Sequence, residues 1–206
     1  KEKQAREAKY RRTHGTINGH EWVDLGLPTG VKWATCNIGA DKPENYGNYY
    51  AWGEISTNSD YTSSNCATYG KTMSDISGDA QFDAARANWK GSWRMPTQGE
   101  LEELKNNCSW NWTTQNGILG YEVKGHNGNS IFLPFAGYRA GLLLHNTGKY
   151  GYYWSSTPHG HNSYAYSLFV YRSSYNHELY YEIAYSYYDE WSGYRNKGLT
   201  IRPVTD

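Results

Sequence analysis

The stretch GYEVKGHNGNSIFLPFAGYR, residues Gly120–Arg139, decides how this chain is read. Two extended runs rich in Tyr, Val, Ile, Phe and Leu flank a Gly/Asn turn at Gly125–Asn129, which predicts a β-hairpin. Just upstream, PTQGELEELKNNC (Pro96–Cys108) has the other period: Thr97 and Glu100 stand at capping-box spacing, Pro96 precedes the cap, and Leu101 and Leu104 form a helical apolar face. A second helix is expected in GDAQFDAARANW, with Asp79 as its N-cap and an end near Asn88. Working outward, Trp22-Val23, Leu25-Gly26-Leu27 and Val31–Ala34 read as strand, turn, strand. GYYWSS, AYSLFVY and LTIRPV add strands near the C-terminus. Strands, two helices, then strands predict an α+β domain with two helices packed on antiparallel sheet.

Composition sets the outer limits. The 206 residues give room for one sizeable domain. Lys+Arg and Asp+Glu both number 20, so the basic footprint of a general nucleic-acid binder is missing, as is an attraction to membrane surfaces. The longest purely aliphatic run is Leu142–Leu144, against the roughly 20 apolar residues of a membrane span, so a soluble chain without direct membrane insertion is expected. Lys1–Arg12 is charged and rich in helix formers and reads as an exposed helix or frayed leader. Residues 1–19 are assigned to this leader and 20–206 to the domain. Ile55–Gly78, dense in Ser, Thr, Asn and Gly, reads as a long surface excursion.

Cys36, Cys66 and Cys108 are odd in number and lack Cys-x-x-Cys spacing, which allows at most one internal disulfide and disfavours a zinc site made of cysteine alone. They read as buried or tolerated thiols. No cofactor is expected.

The chain has nine Trp and 21 Tyr against four Phe. Tyr and Trp join an apolar face to a polar handle, so their excess points to surfaces that are wetted at times and covered at others. The segment HELYYEIAYSYYDEW, His177–Trp191, carries many tyrosines with little aliphatic filling. Tyrosine gives rigid, amphipathic contact area at small entropic cost, the chemistry of antibody-like paratopes. Along AYSLFVYRSS the alternation puts Leu168 and Val170 on a core face and Phe169 and Tyr171 on a face open to a ligand. The candidate ligand-binding residues are His159, His161, Tyr164, Phe169 and Tyr171, then Tyr175, His177, Tyr180, Tyr181 and Tyr185. Tyr187, Tyr188, Asp189, Trp191, Tyr194 and Asn196 complete them. The competing reading is that tyrosines pack across strands, at about 0.2–1 kcal/mol per pair. That reading is expected to hold at Tyr152, Tyr153, Trp154 and Tyr166.

Several motifs in order carry a resemblance: EWVDLGLPTGVKWATCNIGA, YYAWGE, DAARANWKGSWRMPT followed by ELEEL, GNSIFLPFAGYR, GYYWSST and TIRPV. Together they resemble the Fibrobacter succinogenes major paralogous domain, common in Bacteroidetes proteins. The resemblance runs from about His20 to Asp206 and implies a C-type-lectin-like fold related to formylglycine-generating enzymes. In the last quarter, GYYWSSTP, an irregular Tyr/Asn/Ser/His/Asp-rich span and RNKGLTIRPV are similar to the variable proteins of diversity-generating retroelements. This implies a ligand-binding segment at about 157–197 that is rewritten by adenine-directed mutagenesis while the fold stays fixed. AAY codons can become Tyr, His, Asp or Ser codons but not Glu, Lys or Trp. Glu178, Glu182, Glu190, Trp191 and Lys197 would therefore be fixed positions or come from other codons. The implied partner is a protein or glycan on another cell or surface, and the implied location a cell surface or phage particle. An invariant surface adhesin or structural module of the same family is the alternative.

Other chemistry is disfavoured. Formylglycine-generating activity would need a cysteine pair in the C-terminal core, and no cysteine follows Cys108. Ser155 and Ser156 with His159 or His161 lack a nucleophile-elbow pattern. The His159-x-His161 pair reads as contact histidines rather than metal ligands. KPEN at Lys42–Asn45 only echoes a calcium-dependent sugar loop. Arg94 and Arg202 are expected to be buried or half-buried, tying loops to a carboxylate. No catalytic or metal-binding residue is assigned.

Overall fold

The computed structural model describes residues 2–172, 179–184 and 193–206, with the backbone alone at 5, 6, 9 and 179–184. The helices are α1 (Glu2–Thr13), α2 (Ala84–Trp89) and α3 (Gln98–Asn107). The first strands are β1 (His14–Ile17), β2 (His20–Asp24) and β3 (Lys32–Ala34), and after α3 come β4 (Cys108–Gln115), β5 (Ile118–Gly125) and β6 (Ser130–Pro134). β7 (Tyr138–Ala140), β8 (Leu143–His145), β9 (Tyr150–Pro158), β10 (Ala165–Arg172), β11 (Leu179–Ala184) and β12 (Val204–Thr205) complete the series. The pairings between these strands are all antiparallel, so the domain is α+β with mostly antiparallel sheet.

One sheet has the order β1-β2-β3-β12, so the last strand pairs with β3 at one edge while β1 forms the other edge. Its first hairpin turns on Asn18-Gly19, both at positive φ (49° and 83°), a pair that matches the twist of a two-residue turn. β1, assigned with the leader from sequence, is thus hydrogen-bonded into the sheet, while the described side chains of α1 up to Arg12 are exposed.

α3 forms as read. Thr97 accepts from the Glu100 N–H, the Glu100 carboxylate accepts from the Thr97 N–H, and Leu101 and Leu104 are buried. α2 differs: its cap is Asp83, not Asp79. The Asp83 carboxylate is buried and accepts the N–H groups of Ala85 and Arg86, and also those of Gly78 and Met95. Four donors converge there, while Asp79 closes only the preceding turn through the Gln81 N–H.

The hairpin that opened the reading is β5–β6, extended by β4 into a three-stranded sheet. CSWNWTTQ was missed as a strand because its Ser, Asn and Thr residues lie on a half-exposed surface and only Trp110 is buried. Of LTIRPV, expected as a strand, only Val204 lies in regular strand, which runs on to Thr205. Leu199 and Thr200 make single bridges to Tyr50 and Tyr153 instead.

In the sheet β11-β10-β9, strands β9 and β10 are covered on both faces. Tyr153, Leu168 and Val170 pack with Leu101 and Leu104 of α3 and with Tyr121, Val123 and Leu133 of the β4–β6 sheet. Tyr152, Trp154 and Phe169 pack on the other side with Tyr50, Trp52, Trp93 and Met95. This corrects the expectation for Phe169, which is 7 % exposed and stacks on Tyr152 at 4.8 Å.

The two arginines separate. Arg94 reaches Glu100 through both guanidinium nitrogens (2.8 and 2.6 Å) and Asp206 at 2.6 Å, the expected carboxylate tie. Arg202 is fully buried, and its partners are neutral: Asn37 Oδ1 and the carbonyls of Ala34, Thr35 and Phe132. It joins β3 to β6 by capping carbonyls, not by a carboxylate. The three cysteines are free, and burial raises each thiol above its ordinary range, Cys108 to about 11.

Candidate functional site

Between β9 and β10 the chain must reverse in the few residues after Pro158, and two histidines shape that turn. The His161 N–H donates to His159 Nδ1 (3.1 Å) and the Ser163 N–H to His161 Nδ1 (3.3 Å). A ring nitrogen that accepts carries no proton, so each neutral imidazole holds its proton on Nε2. Each ring is thereby a donor, and the Nδ1 lone pairs are already used within the loop. The turn closes through His159 N–H to the Tyr164 carbonyl (3.1 Å) and Tyr164 N–H to the His161 carbonyl (2.9 Å).

Around this loop the rings gather. Tyr164 lies 4.4 Å from Tyr194, 5.1 Å from His161 and 6.1 Å from His159, measured between centroids. Tyr166 meets the edge of His159 at 5.4 Å, and Tyr69 extends the cluster from Tyr194 at 6.4 Å. The hydrogen bond with Tyr194, then burial, pushes the Tyr164 phenol up to about 12. His161 is exposed and Tyr164, Tyr166 and Tyr194 are half-buried, so rings, hydroxyls and imidazole N–H groups reach the surface together.

What holds them is beneath. Arg195 is fully buried, its guanidinium 4.4 Å from the Trp52 ring, and it donates to the carbonyls of Tyr164 (3.0 Å), Thr68 (3.2 Å) and Lys71 (2.7 Å). Two segments distant in sequence, Thr68–Lys71 and the Tyr164 loop, are pinned by one planar donor fork. Asn162 adds a second tie, accepting the Gly70 N–H and donating to Thr72. The surface is polar and aromatic, but its backbone is fixed from below.

Of the residues expected from sequence, His159, His161, Tyr164 and Tyr194 come together here. Tyr171 is half-buried further along β10, stacked on Phe169 at 4.8 Å and edge-on to Tyr150 at 5.8 Å. Tyr180 and Tyr181 occupy β11 register positions opposite Tyr171 and Val170. Asn196 is a correction: it is 7 % exposed and spends its Nδ2 on the Tyr61 carbonyl, a structural bond. Lys197, expected to be a fixed position or to come from another codon type, is likewise buried. Tyr175, His177, Tyr185, Tyr187, Tyr188, Asp189 and Trp191 lie outside the described residues.

Two cluster members were missed. Tyr69 belongs to the polar excursion, where the one signal was a tyrosine amid Ser, Thr and Asn. Tyr166 was assigned to packing because it lies in a motif-bearing strand. The bulge between Ala165 and Ser167 breaks the β9–β10 register at that residue. Ser155 is fully buried and its hydroxyl donates to the Tyr166 carbonyl (2.8 Å). No group of three or more His, Cys, Asp or Glu side chains suited to a metal ion occurs among the described residues. Compared with known proteins, the chain matches no family model, no curated protein and no solved structure.

Proposed function

We propose that this chain is a recognition protein: a C-type-lectin-like scaffold that displays a tyrosine-rich surface to a protein or glycan on another cell or surface. The observation that carries the reading is the cluster Tyr69, His159, His161, Tyr164, Tyr166 and Tyr194 on a loop fixed from below by Arg195. Aromatic groups with polar tips, held by rigid backbone, form contact area at little ordering cost. The sequence resemblance to diversity-generating retroelement variable proteins supports the same reading, in which the exposed members vary and the buried Arg195, Asn196 and Lys197 stay fixed. On this reading the chain is not an enzyme, takes no cofactor, and works at a bacterial surface or on a phage particle.

The test is capture of intact cells from the source community by fluorescently labelled protein, with Tyr164→Ala/Tyr194→Ala as control. Capture by the parent and its loss in the double variant, with unchanged circular dichroism, supports recognition. Equal capture by both removes the cluster from the account.

A further inference from the structure

Beneath the aromatic cluster sits a positive charge that no negative one answers. Arg195 is fully buried under the loop, and the partners of its guanidinium are the neutral carbonyls of Tyr164, Thr68 and Lys71. Among the described residues no carboxylate pairs with it, whereas Arg94 holds both Glu100 and Asp206. Arg202, also buried and also held by neutral groups, bonds through Nε, Nη1 and Nη2. The Arg195 bonds stop at Nε and Nη1, and its Nη2 has no acceptor among the described residues.

A charge enclosed by protein is screened far less than one in water, so its field reaches the rings above it. His159 registers that field: after burial, the charges of His161 and Arg195 hold its imidazole below the ordinary range. The surface adds donors of its own. Both Nδ1 atoms accept backbone N–H groups within the loop, so each neutral imidazole carries its proton on Nε2, and the tyrosines bring hydroxyls. Asp75, which bonds Thr157 at the entry to the loop, spends its carboxylate on the Thr157 hydroxyl (2.6 Å) and the Ser77 N–H (2.9 Å).

We infer that the ligand of this surface is an acidic glycan, a chain whose sugars carry carboxylates. The inference rests on the recognition reading above and names the ligand class for the same site. A carboxylate set over the loop receives charge-assisted hydrogen bonds from imidazole and phenol and lies in the field of Arg195. The rest of the cluster suits sugar. Tyr69, His159, His161, Tyr164, Tyr166 and Tyr194 each join a flat ring face to an N–H or O–H. Ring faces stack on the C–H faces of sugars while the polar tips bond their hydroxyls. An aliphatic anchor from a protein partner would meet no aliphatic side chain among these six.

Residue 161 separates charge from shape. His161 is exposed, and Asn or Asp in its place offers an oxygen to the Ser163 N–H where Nδ1 now accepts. The two replacements differ by one negative charge. The experiment measures capture of intact source-community cells by the parent, His161→Asn, His161→Asp and Tyr164→Ala/Tyr194→Ala proteins. The cells are untreated, mildly oxidised with periodate, or amidated at their carboxylates with carbodiimide and glycinamide. The expected result is capture by the parent that either treatment abolishes, with apparent affinity at least tenfold weaker in His161→Asp than in His161→Asn at equal melting temperatures. Three results overturn the inference alone while the tyrosine variant still fails to bind. These are capture that survives periodate, as a protein or a lipid phosphate would give, capture that survives amidation, as a neutral glycan would give, and equal affinity of the two residue-161 variants. Parent-like capture by the tyrosine variant, or no capture by the parent, overturns the recognition reading and the inference with it.

Discussion

The rings of Tyr164 and Tyr194 meet at a tilt of 38° with centroids 4.4 Å apart, and the residue after Tyr194, Arg195, donates from beneath to the Tyr164 carbonyl. Display and support thus belong to neighbouring residues with opposite burial. Alanine at Tyr164 or Tyr194 should cost only about 1 kcal/mol, the scale of an aromatic pair that stays partly in water. Phe169→Ala, which empties a core site, should cost about 3–5 kcal/mol. Urea unfolding midpoints separate the two cases, and equal losses would mean that the tyrosines are packing.

Arg195→Lys keeps the charge and loses the fork. It should lower stability by about 2–3 kcal/mol, because carbonyls of Thr68, Lys71 and Tyr164 lose a buried donor. Amide hydrogen exchange should quicken at Gly70, whose N–H bonds Asn162, and at Tyr164. Unchanged exchange at both would show that the staple is dispensable.

Asp83→Ala should destabilise by about 3 kcal/mol, since it removes a helix cap and leaves the Gly78 and Met95 N–H groups without their acceptor. Asp79→Ala should cost under about 1 kcal/mol. Thermal unfolding of the pair checks the reassigned cap, and the reverse order would refute it.

The loop at His159 should loosen in acid. Burial, then the positive charge of His161 and Arg195, lowers the His159 imidazole below its ordinary 6.5. The folded state therefore prefers the neutral ring. Its contribution is complete above the unfolded value and is lost as pH falls through the lower folded one. Protonation at Nδ1 would also remove the acceptor of the His161 N–H. Tyr164 ring resonances followed from pH 7.5 to 5 should shift in the parent and stay flat in His159→Gln. His20, also lowered by burial, and His161, whose ring lies 5.1 Å from Tyr164, are removed from the comparison by making it in a His20→Gln/His161→Gln background.

The parts of the fold written locally were legible. Thr97 and Glu100 announce α3, and Gly125–Asn129 announces the β5–β6 hairpin, because caps and turns are settled by residues close in sequence. Asp83 shows the limit: two of its four donors, Gly78 and Met95, are brought in by tertiary structure, and no local pattern favours it over Asp79. The same limit explains the site. Alternation along β10 correctly separated Leu168 and Val170 from Phe169, but it could not reveal that a second core covers the other face. Arg195 and Asn196 sit in a segment that looks like display and act as its foundation, since their partners at Thr68, Lys71 and Tyr61 lie far back in the chain.

The central claim, a changeable contact surface on an unchanging scaffold, is tested most directly by amplicon sequencing of this gene across its source population. The account predicts substitutions at His161, Tyr164 and Tyr194, with Phe169, Arg195, Asn196, Lys197 and Arg202 constant. Variation spread evenly along the gene, or constancy at His161, Tyr164 and Tyr194, would contradict it.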